Sequence, residues 1–393
     1  MKQILEGSQA IAQTINNIKP AVVSAYPITP QTHIVEDLAK LKADGKATYE
    51  YVRAESEFAA ASIVTGASAT GVRTYTATSS QGLLLMTEVI FNIAGMRLPV
   101  VITLANRGIS APITIWNDHQ DSMTVRDAGW IQFYAENHQE ALEQHLLAYK
   151  VAEKDKLPAM VCIDGFVLTH TYENVSIPNR ADVKKFLPNY KPTSGGYLDT
   201  KNPHSLGTFA PPAYYLEIRE ELHNAMLNSA KSIFDEYENL KKKVPGVIKK
   251  TEKNAHINNG LLEYYGAIRP KTVLIAMGSL IGTIKDAVDE MNKNKVYGGV
   301  GVVKIKCYRP FPANELLKSI TGVKQVAVVE KAISLGASDG PLTLDVKAAA
   351  KNKTKTKIQG FIVGLGGRDI TKKMIKSIVI EVGRSSDKCR FVG

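Results

Sequence analysis

In the run RAESEFAAASIVTGASATG, residues 53–71, Glu57 opens a helix-forming stretch made almost wholly of Ala, Ser, Gly, Ile and Val. A helix that is small or apolar on every face is buried, so a carboxylate at its start must be paired, protonated or put to use. A first-turn acid favouring the helix dipole is the alternative reading, and it suits Glu55 better than Glu57. In LANRGISAPITIWNDHQD, residues 104–121, an apolar strand ends in Arg107 and leads into a polar loop with Asn117, Asp118, His119 and Asp121. A guanidinium there suits a carboxylate in two-point fashion; the alternative is a structural salt bridge to one of those aspartates. The Asp/His group lacks a spacing that puts its side chains on one helical face, which argues against a metal. In AYPITPQT, residues 25–32, a strand ends at Thr29-Pro30 and a helix begins. The hydroxyl and the helix amides suit an anion, unless Thr29 is only an N-cap.

The elements that must carry these residues follow from pattern. AVVSAYPIT, ATYEYVRA, VRTYTATS, PVVITLANR, WIQFYAE and PAMVCIDGF alternate with amphipathic stretches between Ala21 and Phe166. Continuous apolar strands separated by helices imply an α/β fold with a parallel sheet covered on both faces and ligands at the strands' carboxyl ends. Ser79 and Ser80 before QGLLLMTEVIFNIAG, and Asn137 before HQEALEQHLLAYKVAEK, read as helix starts. Residues 1–180 are therefore expected to form one domain, and 181–260 a connector with a long helix from about Ala213 to Lys243. Residues 261–393 carry a second α/β rhythm in TVLIAMG, GVGVVKIKCY, KQVAVVE and KIQGFIVG, expected to have its own core. IVGLGGRDI (362–370) fails the dinucleotide fingerprint, and it reads, like Gly278-Ser279 and YRPFP (308–312), as a strand-end turn.

Composition sets the bounds. The 393 residues, 44% hydrophobic and 22% charged, describe a soluble globular chain of two or three domains. The start MKQILEGSQAIAQ has no apolar run of signal-peptide length and carries acidic Glu6, so a cytoplasmic location is expected. Leu83 to Thr103 is interrupted by Glu88, Asn92, Arg97 and Pro99, which argues against a membrane span. The net charge of +11 comes from Lys-rich pieces such as 241–254 and 351–357, not from an arginine–aromatic stripe, so no nucleic-acid partner is expected. Cys162, Cys307 and Cys389 are too few and too dispersed for a disulfide framework or an iron–sulfur cluster, and no metal ligands are assigned.

YPITP (26–30), ESE (55–57), TATSSQGLLLM (76–86), NRGISAPITIWNDHQD (106–121), DGFVLTH (164–170), YRPFP (308–312) and GLGGRD (364–369) occur in one order along nearly the whole chain. In this the sequence resembles the alpha subunits of multi-subunit pyruvate:ferredoxin oxidoreductases and their 2-oxoacid relatives. The resemblance implies a pyrimidine-type thiamine-diphosphate domain followed by a transketolase C-terminal-like domain. It also implies a beta subunit that binds Mg2+ and the diphosphate through a GDG sequence, which this chain lacks. [4Fe-4S] clusters would lie on partner chains only, among them ferredoxin-like gamma and delta subunits. Pyruvate would be oxidised to acetyl-CoA and CO2, with coenzyme A taking the acyl group and ferredoxin the electrons, or the reverse.

Carried onto this sequence, Glu57 matches the glutamate that hydrogen-bonds N1′ of the aminopyrimidine. Thr29 and Arg107 match the residues that hold the substrate, Arg107 on its carboxylate. The same residues would serve 2-oxoisovalerate or 2-oxoglutarate. An NAD-linked 2-oxoacid dehydrogenase beta chain also supplies a glutamate but lacks the 106–121 run, and a non-catalytic basic binding protein would leave Glu57 unexplained.

Overall fold

The computed structural model describes residues 2–248, 252–383 and 388–393. Its first half contains strands β1 (Lys2–Glu6), β2 (Val22–Ala25), β3 (Glu50–Arg53), β4 (Thr74–Thr78), β5 (Val101–Asn106), β6 (Ile131–Tyr134), β7 (Ala159–Asp164) and β8 (Tyr172–Ser176). Between them run α1 (Gly7–Ile18), α2 (Thr32–Ala43), α3 (Glu57–Ala69), α4 (Ser80–Leu85), α5 (Thr87–Gly95), α6 (Gln120–Thr124) and α7 (His138–Asp155), followed by α8 (Arg180–Phe186) and the long α9 (Pro212–Lys243). The second half holds β9 (Ala255–Asn258), β10 (Leu262–Gly266), β11 (Thr272–Ala276), β12 (Val300–Ile305), β13 (Cys307–Arg309), β14 (Gln325–Glu330), β15 (Lys357–Ile362) and β16 (Arg390–Phe391). Its helices are α10 (Leu280–Asn292), α11 (Ala313–Ile320), α12 (Pro341–Ala350) and α13 (Lys372–Glu381).

The first sheet runs β3-β2-β4-β5-β7-β6-β13, parallel except at its β13 edge. Every residue of β4, β5 and β7 is buried, as strands covered on both faces require. From β2 the chain moves out to β3 and then returns past β2 to β4, so the strand order reverses there. The crevice beyond the carboxyl ends of β2 and β4 is where such sheets bind ligands. Thr29, Glu57 and Arg107 follow β2, β3 and β5 respectively, and all three thus lie at that end.

The second sheet, β16-β15-β14-β11-β12-β10-β9, is parallel except for β10 and β9. Alternation along its strands divides the side chains between two cores. Leu274, Ala276, Val302, Ala327 and Val329 pack beneath α10 and α13, whereas Val273, Ile275, Val303, Val326 and Val328 join the core of the first half. One core is therefore its own and the other is shared. β13 belongs to the second half by sequence but pairs with β6 in the first sheet. Strand β1, which no sequence pattern marked, pairs antiparallel with β8. The helix read after Ser80 is broken into two at Met86. No helix among the described residues is long and apolar enough to cross a membrane.

Candidate functional site

Ser56 takes extended backbone and its hydroxyl accepts the Ala59 N–H at 3.1 Å, an N-cap that makes Glu57 the first residue of α3. The small residues Ala60, Ala61 and Ser68 let α3 lie close against β2 and β4. Glu57 is thereby turned inward, and only 8% of its surface is exposed. Its carboxylate reaches α4 at Gly82: a Cβ built there would lie 2.8 Å from Glu57 Oε1 and overlap Thr78 Oγ1. Among the described residues the Glu57 carboxylate has no hydrogen-bond or ion-pair partner. Thr78 Oγ1, Ser79 Oγ and Gln81 Nε2 nearby are also buried and unpaired. A buried carboxylate beside unpaired hydroxyls is unfavourable in a purely structural role.

Arg107 leaves the end of β5 and is buried. Its Nε donates to the Thr114 carbonyl at 2.7 Å and its Nη1 to the Thr29 carbonyl at 2.9 Å. The guanidinium makes no salt bridge among the described residues, so neither Asp118 nor Asp121 neutralises it, and Nη2 makes no hydrogen bond there. Burial pushes its pKa down, opposed by the charge of Asp121; a guanidinium nevertheless stays a cation at neutral pH. Thr29 itself is exposed, directly beside this cation.

Residues that sequence reasoning did not single out hold the three in place. Gln31, fully buried, donates to the Ala77 carbonyl at 2.6 Å and so ties the loop after β2 to the end of β4. Asp121 accepts the N–H groups of Ser80 at 3.1 Å, Arg107 at 3.0 Å and Ser122 at 2.8 Å, and the Asn106 amide at 2.7 Å. Burial pushes its carboxyl up to about 7 against those donors. Ser80 Oγ also donates to the Gly108 carbonyl at 2.7 Å. The helix start that carries Gly82 is thus stitched to the loop that carries Arg107. Thr29 and Arg107 are in direct contact, and Glu57 joins them through Gly82 and Ser80.

The aspartates of the 117–121 segment do not converge. Asp118 accepts from Gln120 and, at 3.0 Å, from the Gly366 N–H of the second half. His119 Nε2 contacts Asp164 Oδ1 at 2.7 Å, and the other Asp164 oxygen takes Lys331 Nζ at 3.1 Å, the Ser279 N–H at 3.0 Å and the Ser279 hydroxyl. Lys331 Nζ also meets Asn117 Oδ1. The turns at Gly278-Ser279 and Gly364–Gly367 are therefore the second half's grip on the Arg107 loop. Burial opposes the charged form of Asp164, but Lys331 and His119 outweigh it and hold the carboxyl far below the usual range.

Residues 14–239 match the family described as pyruvate flavodoxin/ferredoxin oxidoreductase, thiamine-diphosphate-binding, and residues 271–375 match pyruvate:ferredoxin oxidoreductase core domain II. The chain belongs to this family. It is 44% identical over 387 residues to pyruvate synthase subunit PorA of Methanocaldococcus jannaschii, covering 98% of this chain and 96% of that one. Identity to the PorA of Methanothermobacter thermautotrophicus is also 44%, over 394 residues, covering 100% and 98%. Ketoisovalerate oxidoreductase subunit VorA of Pyrococcus abyssi is 40% identical over 391 residues, covering 98% and 95%. Among solved structures, 2-oxoglutarate:ferredoxin oxidoreductase from Magnetococcus marinus superposes with a TM-score of 0.72 at 21% identity, which shows a common fold. The match covers 96% of this chain and 65% of that longer one. The unpaired carboxylate of Glu57, set above Gly82 at the sheet's reversal point, fits the aminopyrimidine half of a thiamine diphosphate site. No GDG sequence is present for the diphosphate half.

Proposed function

We propose that this chain is the alpha subunit of a pyruvate:ferredoxin oxidoreductase, in which Glu57 activates thiamine diphosphate and Arg107 and Thr29 hold the 2-oxoacid. The carrying observation is the Glu57 carboxylate, buried, without a partner among the described residues and close-packed on Gly82. When bound, the cofactor supplies the carbanion chemistry that breaks the bond between the carboxylate and the keto carbon. Glu57 holds a proton at N1′ of the aminopyrimidine. Arg107, whose charge no side chain among the described residues neutralises, directs its remaining N–H groups to the substrate carboxylate, and the Thr29 hydroxyl beside it orients the neighbouring oxygen. Residues 1–180 act as the pyrimidine domain, 181–260 as the connector and 261–393 as the transketolase C-terminal-like domain.

The diphosphate and Mg2+ are assigned to a beta subunit across the site, and the [4Fe-4S] clusters to gamma and delta subunits, all in the cytoplasm. Large apolar side chains beside the site residues support a covering chain: Tyr26, Phe58, Leu85, Ile113, Trp116 and Val167 are each 38–79% exposed. Coenzyme A and ferredoxin complete the reaction. The similarity to a ketoisovalerate oxidoreductase subunit favours 2-oxoisovalerate as the second substrate reading. Coenzyme-A-dependent dye reduction by the purified complex, with pyruvate, 2-oxoisovalerate and 2-oxoglutarate in parallel, tests the assignment. Pyruvate is expected to give the highest kcat/KM; reduction with none of the three would overturn it.

A further inference from the structure

Three segments distant in sequence bring Glu6, His33 and His170 together. One ligating atom from each lies within 4.8 Å of the other two. Glu6 ends β1, His33 is the second residue of α2, and His170 lies in the turn between β7 and β8. The backbones that carry Glu6 and His170 are bonded to one another: the Ser8 N–H and hydroxyl reach the Thr169 carbonyl at 3.0 and 2.9 Å, and the Gly7 N–H reaches Thr171 at 3.2 Å. Gly7 has to be glycine for this approach, because a Cβ there would overlap the Leu168 carbonyl. Glu6 Oε1 meets His33 Nδ1 at 2.6 Å, and the rings of His33 and His170 are 4.4 Å apart. His170 Nδ1 is taken by Thr169 Oγ1 at 2.6 Å, and Thr169 Oγ1 in turn accepts the Phe166 N–H at 2.8 Å. The contact fixes the His170 ring; with Nδ1 donating to Thr169 Oγ1, Nε2 is the lone pair left for a ligand, the arrangement by which metal-binding histidines are oriented.

We propose that Glu6, His33 and His170 form a binding site for a divalent transition ion of the zinc class. Two imidazoles and one carboxylate are a borderline ligand set, which zinc accepts at about 2.0–2.2 Å from each donor. The side chain of His33 is 46% exposed, which leaves a water-accessible coordination position and an entry path. Bound there, the ion ties the β1–β8 pair to α2, the helix that begins three residues after Thr29. Nothing in the spacing of Glu6, His33 and His170 marks them in the sequence, because ligands 27 and 137 residues apart are united only by the fold.

The test is zinc titration of the untagged, chelator-stripped full chain by calorimetry, with cobalt absorption as a second reading of coordination. One equivalent is expected to bind with Kd of about 1 μM or tighter. His33→Gln and His170→Gln are each expected to weaken it by more than about tenfold, the lower bound for losing a metal-site residue. Zinc should raise the melting temperature of the parent chain and not of either variant. His223→Gln, at an exposed histidine outside the cluster, is expected to bind as the parent does. His33 is exposed, so its loss leaves the fold intact, which circular dichroism verifies. Absence of saturable zinc binding in the parent chain, or unchanged affinity in His33→Gln, would overturn the proposal.

Discussion

Glu57, Thr29 and Arg107 differ in how the chain treats them, and that difference decides what each can do. Among the described residues, Glu57 is buried and unpaired, the Arg107 guanidinium is buried and bonded only to neutral carbonyls, and Thr29 is exposed beside it. The small residues around Glu57 made it legible from sequence. Gly82 was not legible, because a glycine after a helix start has many ordinary explanations; here it makes room for the Glu57 carboxylate. Gly82→Ala should therefore push Glu57 aside. A loss of about 1–3 kcal/mol in denaturant unfolding is expected from overpacking, together with a fall in kcat of the assembled enzyme. Full activity at parental stability would show that the contact is slack. At Arg107 the structural salt bridge with Asp118 or Asp121 is absent, so its effect should be kinetic. Arg107→Lys replaces a planar fork by a point charge and is expected to cost about 1–3 kcal/mol, or about 5- to 150-fold in kcat/KM. A variant that is destabilised and kinetically silent would remove Arg107 from the substrate site.

At the scale of elements, the alternation of buried strands and helices could be read directly, since a period of two and a period of 3.6 leave different apolar patterns. The short edges could not. β1 carries no apolar alternation, and β13 is three residues long and gains its place only by pairing with β6. Lys304 in β12 and Lys306 just after it are buried against Glu136, Glu140 and Glu143 of the other half, which an apolar strand pattern does not announce. The loop after β5 was read as polar, and its function as a joint appears only with Asp164, Lys331 and Ser279 in place. Removing one partner of such a buried pair strands the other, so Lys331→Met is expected to lower stability by about 3–5 kcal/mol at neutral pH. Asp164 has a depressed folded-state pKa, so its contribution is complete above the unfolded value of about 3.9 and is lost as pH falls below it. Unfolding curves from pH 7 down to pH 3 should show a constant gap between the parent and Lys331→Met above about pH 4 that begins to narrow below it; a gap unchanged down to pH 3 would exclude this pair as its source.

Taken whole, the molecule is built on two seven-stranded sheets that share one core and are pinned by buried charges. That union has a functional sense, because the second half grips the loop that aims Arg107. Family membership was legible because motifs spread over both halves kept their order, whereas the shared core was not, since alternate residues of one strand cannot declare which neighbour they face. The central claim is that this chain supplies the carboxylate that activates thiamine diphosphate, and hydrogen–deuterium exchange at C2 of the cofactor in the assembled complex reads that step alone. With Glu57→Gln, the fold and subunit assembly should be retained while exchange slows by at least about 100-fold, the usual lower range for a positioned acid–base group. An exchange rate equal to that of the parent complex would contradict the account and assign Glu57 to packing.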